Sequence, residues 1–134
     1  MALKLTNGVF SAISATAVPD SSSTERYPYP GVTPVVSASP TGNAIVWTLD
    51  NSQFGNTRNT GVNPAGAAIL RAYAASDLTT TLYSSSTSTA DTANGAVKFT
   101  VPVVANGHVY IAGVTTTDTG SDILGQVTVY GLAP

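Results

Sequence analysis

The sequence predicts an all-β fold built from two four-stranded antiparallel sheets. Three observations lead to this prediction. β-Branched and aromatic residues recur at period two, turn-forming residues separate these runs, and one series of four short runs occurs twice. We label the runs D, A, B and C in the order in which each copy presents them, so that the chain has the strand order D-A-B-C twice.

The two copies of the repeat define the expected strands. Residues 66–75, which are rich in alanine, also suit a helix. We interpret them as a strand, because alternation then places Leu70 and Ala72 on one side and Arg71 and Tyr73 on the other. The expected strands are residues 9–11, 34–36, 45–47 and 70–73 in the first copy, and 82–84, 102–104, 109–111 and 127–130 in the second.

The connections between strands alternate between short and long. Asn106 and Gly107, between two apolar runs, are typical of a two-residue hairpin turn because both tolerate positive φ. In an up-and-down sheet the long connections all emerge at one end, and loops on a rigid scaffold commonly bind ligands. We expect recognition residues in these loops: Tyr27, Tyr29, Phe54, Asn56, Arg58, Asn59, Asp118 and Asp122.

Two pairs of these candidate residues have an alternative interpretation. Tyr27 and Tyr29 belong to a Tyr-Pro-Tyr-Pro run, which also suits a stiff, packed connection. The oxygen-rich loop of Asp118 and Asp122 is of a kind that can hold calcium, but its spacing matches no known calcium loop, and we predict no metal site.

The phase of the repeat suggests how the chain ends are used. The chain starts with a D strand and ends with a C strand, so the last sheet lacks a D strand of its own. Uncovered sheet edges invite aggregation, and proteins normally cover them. We therefore predict that the strand near Val9 pairs with the sheet of residues 127–130, in its own chain or in a neighbouring one. The prediction is one all-β domain over residues 1–134, with a closing strand and connector at 1–32, a complete sheet at 33–86 and the incomplete sheet at 97–134.

Several segments resemble the last two blades of bacterial quinoprotein-like β-propellers of the pyrroloquinoline-quinone-repeat type. Residues 98–111 and 125–134 resemble the last blade, while residues 29–34, 42–47, 70–73 and 82–83 resemble the preceding one. The resemblance implies two β-propeller-type blades, with the N-terminal strand completing the terminal blade. The chain departs from the family pattern at Ala74 and Tyr83, where an Asp and a Trp are usual. Because two blades cannot close a ring, the resemblance implies a homo-oligomer of about three or four chains.

Composition argues against several classes of function. Charged residues make up 9% of the chain, the net charge is -2, and the five basic residues are scattered, which does not suit nucleic-acid binding. There is no cysteine for a disulfide or a thiolate zinc site. No apolar run approaches the roughly 20 residues of a membrane span. Residues 1–7 have no apolar stretch typical of a secretory signal, and they resemble the start of small phage structural proteins.

No catalytic constellation is visible. His108 is the only histidine and directly follows a predicted turn, so we expect it to be solvent-exposed rather than catalytic or metal-bound. No cofactor is expected, including the quinone. The aromatic residues in strands are expected to pack between sheets rather than to stack on sugar: Trp47, Tyr73, Tyr83, Tyr110 and Tyr130.

The expected function is therefore a non-catalytic structural or binding module that self-assembles. A protein or glycan ligand on the long-loop face is compatible with this expectation. Three alternatives stay open: a virion component (phage capsid or tail) or a surface-assembly component, a lectin-like carbohydrate-binding protein, and an inactive fragment of a larger quinoprotein-like propeller. The compartment is not predicted by the residues. The family resemblance suggests an extracellular or cell-surface location, and a virion is also compatible.

Overall fold

The computed structural model shows an all-β protein, as the sequence predicts. Its strands form a two-stranded ribbon, a four-stranded sheet and a three-stranded sheet, all antiparallel. We call the two larger groups the first sheet and the second sheet. One turn of 3-10 helix at Thr89–Asp91 is the only helical element in the part of the chain that the structure describes. The structure describes residues 3, 5–10, 23–55, 65–115 and 124–131.

Both sheets are simple meanders, in which strands adjacent in the chain are adjacent in space. The first sheet has the order β3-β4-β5-β6 and the second the order β7-β8-β9, while β1 and β2 form the ribbon. Every strand except β1 corresponds to one of the eight predicted runs. The bounds are β1 Leu5–Thr6, β2 Val9–Phe10, β3 Val35–Ser39, β4 Gly42–Asp50, β5 Ile69–Ala74, β6 Asp77–Ser84, β7 Val103–Ala105, β8 His108–Val114 and β9 Gly125–Tyr130.

The register of the first sheet sorts its residues into two faces. Residues paired across adjacent antiparallel strands point to the same face. Leu49 pairs with Leu70, and Trp47 pairs with Ala72, so these four side chains share the face that we call inner. The strand interpretation of residues 66–75 is confirmed for the part from Ile69 to Ala74.

The core lies between the inner faces of the two sheets. Leu49 and Leu70 of the first sheet are 1% and 0% exposed, and Val109 and Ile111 of the second are 4% and 2% exposed. These residues belong to one contiguous cluster. Burying a large aliphatic side chain contributes about 1.5–3 kcal/mol, so this contact holds the two sheets face to face.

The connection between β6 and β7 joins the sheets through the main chain. Gly95 donates to the carbonyl of Val114 at 2.8 Å and accepts from its amide at 3.0 Å, while Ala68 donates to the carbonyl of Asn94 at 2.9 Å. The approach is close, because a Cβ on Gly113 would lie 2.7 Å from the carbonyl oxygen of Gly95. Glycine is therefore required where this segment crosses the end of β8.

The predicted pairing of the N-terminal strand is wrong for the single chain. β2 pairs with β1 and not with β9. Asn7 (φ 51°) and Gly8 (φ 79°) adopt the positive φ values of a tight hairpin turn. Closing this short loop costs less chain entropy than closing the loop of about 115 residues that separates β2 from β9. Consequently β9 has an edge that no described residue pairs with, and pairing of β2 with another copy stays a prediction.

The two ends of the sheets differ. The turns between β3 and β4, β5 and β6, and β7 and β8 lie at one end, which we call the short-turn end. Asn106 (φ 51°) and Gly107 (φ 76°) form the last of these turns and confirm the predicted hairpin. The longer connections leave the opposite, long-connection end. Among the described residues, no helix is long and apolar enough to cross a lipid bilayer.

Candidate functional site

Two of the predicted recognition residues, Tyr29 and Phe54, meet at the long-connection end. Their ring centroids are 5.8 Å apart in an edge-to-face arrangement, and Phe99 lies 6.3 Å from Tyr29 in the same kind of contact. The ammonium group of Lys98 lies 4.2 Å from the ring centroid of Phe54 and 5.7 Å from that of Tyr29. We call these four residues the aromatic cluster.

A buried asparagine holds the parts of the aromatic cluster together. Asn51, 2% exposed, directly follows β4, and its carbonyl accepts a hydrogen bond from the amide of Phe54 at 3.1 Å. The Asn51 side-chain amide donates to the Thr100 carbonyl at 3.3 Å and to its Oγ1 at 3.1 Å. This contact fixes the loop that carries Phe54 against the turn that carries Lys98 and Phe99.

The rings of the aromatic cluster are unusually open to solvent. Tyr29 is 65% exposed, and Phe99 is 71% exposed. Aromatic rings gain free energy by stacking on apolar surfaces, and Lys98 adds a positive charge beside them. The cluster can therefore present exposed apolar ring surface to a ligand or partner.

Tyr27 lies apart from the aromatic cluster, on the outer face of the first sheet. Its hydroxyl is 2.8 Å from Thr48 Oγ1 and 2.6 Å from the Tyr73 hydroxyl, and the Arg71 guanidinium lies 5.7 Å from its ring centroid. Burial and the hydrogen bond with Tyr27 raise the pKa of Tyr73. These contacts attach the segment before β3 to the sheet, so the structure gives Tyr27 a role in packing.

Arg71 extends this attachment through ion pairs. Its guanidinium lies 3.3 Å from Asp50 Oδ2 and 3.5 Å from Glu25 Oε2. Side chains of Arg71 and Asp50 are 11% exposed and that of Glu25 is 43% exposed, so the pair with Asp50 is the better shielded from solvent. The segment before β3 thereby covers the middle of this face.

The remaining predicted recognition residues are not placed. Asn56, Arg58, Asn59, Asp118 and Asp122 lie outside the described residues. Their predicted role in the long connections stays a prediction.

His108 occupies the position that the sequence predicts. It is exposed at the start of β8, with its Nδ1 2.8 Å from the carbonyl oxygen of Asn106. Within the described ranges, no three His, Cys, Asp or Glu side chains lie close enough to hold a metal ion.

A second feature, which sequence reasoning missed, is a cleft of about 690 Å³ between the sheets at the short-turn end. We call it the inter-sheet cleft. Trp47, Tyr83 and Tyr130 line it together with aliphatic side chains such as Ile45 and Val109. The Tyr83 and Tyr130 ring centroids are 6.0 Å apart. All three aromatic residues also pack against the core, as expected from the sequence.

One charged residue, Asp91, belongs to the described part of the cleft lining. The Tyr130 hydroxyl donates to the Asp91 carbonyl at 2.9 Å. Burial, the nearby negative charge of Asp91 and a hydrogen bond to it raise the pKa of Tyr83 to about 12. The hydroxyl of Tyr83 therefore stays protonated at neutral pH.

The residues around the cleft can be recognised in the sequence only when the register of the strands is known. Ala72 pairs with Trp47 on one side and with Tyr83 on the other. Ala72 itself is 1% exposed, and the two aromatic residues that flank it both line the cleft. Because the pairing of residues so far apart in the chain is not known beforehand, this arrangement could not be predicted.

The outer face of the second sheet is the third feature. Val103 and Val129 both pair with Tyr110, and Val127 pairs with Ala112, so these side chains share one face. The three valines are 59%, 51% and 64% exposed in the order Val103, Val129, Val127. We call these five residues the outer face of the second sheet.

Comparisons with protein-family models, with curated proteins and with solved structures found no match for this chain. The resemblance to quinoprotein-like propellers therefore stays a prediction from the sequence. Functional inference rests on the geometry of the described residues.

Proposed function

We propose that this protein is a non-catalytic structural module whose copies assemble through the second sheet. The observation that carries the proposal is the apolar outer face of the second sheet, which no described residue covers. Val103 of β7 and Val127 and Val129 of β9 are each more than half exposed. Burial of the exposed part of each valine would contribute about 1 kcal/mol.

The first sheet shows what a covered outer face looks like in this protein. There the segment containing Tyr27 lies over the strands, and Thr48 and Tyr73 are only 6% and 2% exposed. The second sheet lacks such a cover among the described residues. A second copy of the chain is the occupant that fits, because the surfaces of both partners carry few charges that would need desolvation.

The free edge of β9 gives the assembly a second point of attachment. Its unpaired main-chain groups can accept another strand. The ribbon of β1 and β2 offers one, and its Leu5 and Val9 are 57% and 69% exposed. Addition of this ribbon to β9 of a neighbouring copy would extend the three-stranded sheet to five strands, with β2 as its fourth strand. Repetition of this contact around a closed oligomer of about three or four chains would pair the same edge in every copy.

The mass of the protein in solution tests the proposal. Light scattering over a wide range of concentration is expected to give a mass that is a multiple of 13.5 kDa. The double variant Val103→Lys/Val127→Lys places two charges in the interface and should yield monomers. Val36→Lys is the matched control, because Val36 is a strand valine of the first sheet with 62% exposure, and it should leave the mass unchanged.

Two results would overturn the assembly proposal. One is a wild-type protein that stays monomeric at the highest concentration reached. The other is an equal response of the Val36→Lys and Val103→Lys/Val127→Lys variants. A variant without residues 1–10 lacks the ribbon but keeps the outer face of the second sheet. It therefore tests whether the outer face alone is enough for assembly.

The aromatic cluster favours a second candidate function, which is carbohydrate binding. Exposed rings of Tyr29 and Phe99 are suited to stack on the apolar face of a sugar. A glycan array is the test, and Tyr29→Ala should remove any hit while Val36→Ala should keep it. An array without hits would refute this candidate.

A further inference from the structure

We infer that the inter-sheet cleft binds a small organic cation, in which an ammonium group is carried on a compact aromatic or aliphatic body. This inference goes beyond assembly. It rests on the aromatic residues of the inner faces and on Asp91, whereas assembly is assigned to the outer face of the second sheet.

The size of the inter-sheet cleft suits such a ligand. Its volume of about 690 Å³ falls in the range of roughly 300–1,000 Å³ that is usual for small-molecule sites. Most of its lining is aromatic or aliphatic, with a few hydroxyls such as those of Ser37, Thr92 and Thr128. Small-molecule sites typically combine an apolar wall with a few polar groups in this way.

The charge of the cleft decides which class of ligand fits. Among the residues that the structure describes, Asp91 is the only charged one that lines it. Both ion pairs found among the described residues belong to Arg71, so no described lysine or arginine neutralises Asp91. A carboxylate in an apolar cleft favours a cation and disfavours an anion.

The rings favour the same charge. The face of an aromatic ring carries partial negative charge and attracts ammonium groups. Trp47, Tyr83 and Tyr130 bring three rings to the lining that contains Asp91. An ammonium ion with an apolar body gains from both features, because its charge meets the carboxylate while its body meets the rings.

Asp91 is held in place before any ligand arrives. Its carbonyl accepts a hydrogen bond from Tyr130 at 2.9 Å, and Tyr83 lies close enough that, besides burial, the charge of Asp91 raises the pKa of its hydroxyl. These two tyrosines are in edge-to-face contact, with an interplanar angle of 64°. A site whose groups are already positioned loses less conformational entropy on binding.

The indole of Trp47 is oriented as well. Its Nε1 donates to Ser37 Oγ at 2.9 Å, across the hairpin of β3 and β4. Trp47 is also the only tryptophan of the chain. Its fluorescence therefore reports on the inter-sheet cleft without interference from other sites.

The experiment titrates the full chain with three probes of similar shape and different charge. Phenyltrimethylammonium is the cation, tert-butylbenzene its neutral counterpart and benzenesulfonate the anion. We expect a saturable change of Trp47 emission with the cation, at a concentration about tenfold lower than any change with the other two probes. An equal response to all three probes, or no saturable response to the cation, would overturn the inference. The absence of a saturable response to the cation is also the result expected if part of the chain itself fills the cleft.

Variants identify the carboxylate. Asp91→Asn should weaken binding of phenyltrimethylammonium about tenfold. Asp77→Asn removes the same charge at an exposed turn outside the cleft, and it should change the affinity less than about twofold. Unchanged binding in Asp91→Asn would contradict the inference. If Asp91→Asn does not fold, the ranking of the three probes on the unaltered protein still decides.

A further variant separates this inference from the assembly proposal. Val103→Lys/Val127→Lys changes neither Trp47 nor Asp91, and neither altered residue lines the cleft. We expect it to bind phenyltrimethylammonium as the wild-type protein does. Loss of binding in this variant would show that the cleft depends on assembly, which contradicts the site as inferred here.

Discussion

Replacement of Leu70 by alanine tests whether the two sheets share one core. Leu70 is 0% exposed and pairs with Leu49 of β4, which is 1% exposed. Ile111 from the second sheet belongs to the same cluster and is 2% exposed. The side chain of Leu70 is therefore enclosed by residues from both sheets.

The magnitude follows from how well the site can close after the substitution. Leucine-to-alanine changes in closed cores cost about 2.7–5.0 kcal/mol, and the cost grows with the cavity that stays open. Ala68, Ala93 and Ala96, which surround the site, are too short to move into the space. We therefore expect Leu70→Ala to lower the free energy of unfolding by about 3–4 kcal/mol. Val36→Ala, at a position that is 62% exposed and outside the proposed interface, should lower it by less than about 0.5 kcal/mol.

Urea unfolding followed by far-ultraviolet circular dichroism measures both effects. All variants are compared at one protein concentration, because assembly would make stability depend on concentration. A cost for Leu70→Ala below about 1 kcal/mol would mean that this side chain faces solvent or a loose interface. That result would refute the shared core, and with it the inner lining of the inter-sheet cleft.

Two further predictions concern the backbone and pH. Gly107→Ala should lower the free energy of unfolding by about 1 kcal/mol, because Gly107 has a φ of 76° and no atom that would clash with a Cβ. At Gly125 the backbone does not have a positive φ, and no atom lies within 4 Å of an added Cβ, so Gly125→Ala should have little effect in the same urea assay. Equal costs for the two variants would contradict this account. Stability should also fall at alkaline pH, since burial raises the pKa values of Tyr73, Tyr83 and Tyr130 above the usual value of 10.0 while the unfolded chain ionises normally. The loss should begin near pH 10 and continue to about pH 12 for Tyr83, at no more than about 1.4 kcal/mol per pH unit per tyrosine, and a urea midpoint that stays constant across this range would contradict it.

The strands and their turns could be predicted because their signals are local. Alternation around Leu70 distinguishes a strand from a helix within a few residues. The pair Asn106 and Gly107 specifies a hairpin turn by its own backbone preferences. Neighbouring strands in this chain are also neighbours in the sheets, so the local pattern extends directly to the topology.

The features that could not be predicted depend on contacts between distant residues. The aromatic cluster includes Phe99, which adopts a φ of 63° although aromatic residues rarely do so, and no pattern marks it as a turn residue. Likewise, Asp91 approaches Tyr130 across 39 positions of the chain. The pairing of β2 with β1 could not be predicted from the repeat, because the repeat contains no strand at Leu5.

The close approach of Gly95 to β8 has a consequence for how the molecule melts. The segment around Gly95 is hydrogen-bonded to β8 of the second sheet and, through Asn94, to the start of β5 in the first. Opening either sheet would leave main-chain donors and acceptors of the other sheet without hydrogen-bond partners in an apolar interior. The two halves should consequently lose structure in a single cooperative transition, unlike a tandem array whose units unravel one after another. Slow amide hydrogen exchange should then extend without interruption from one half into the other.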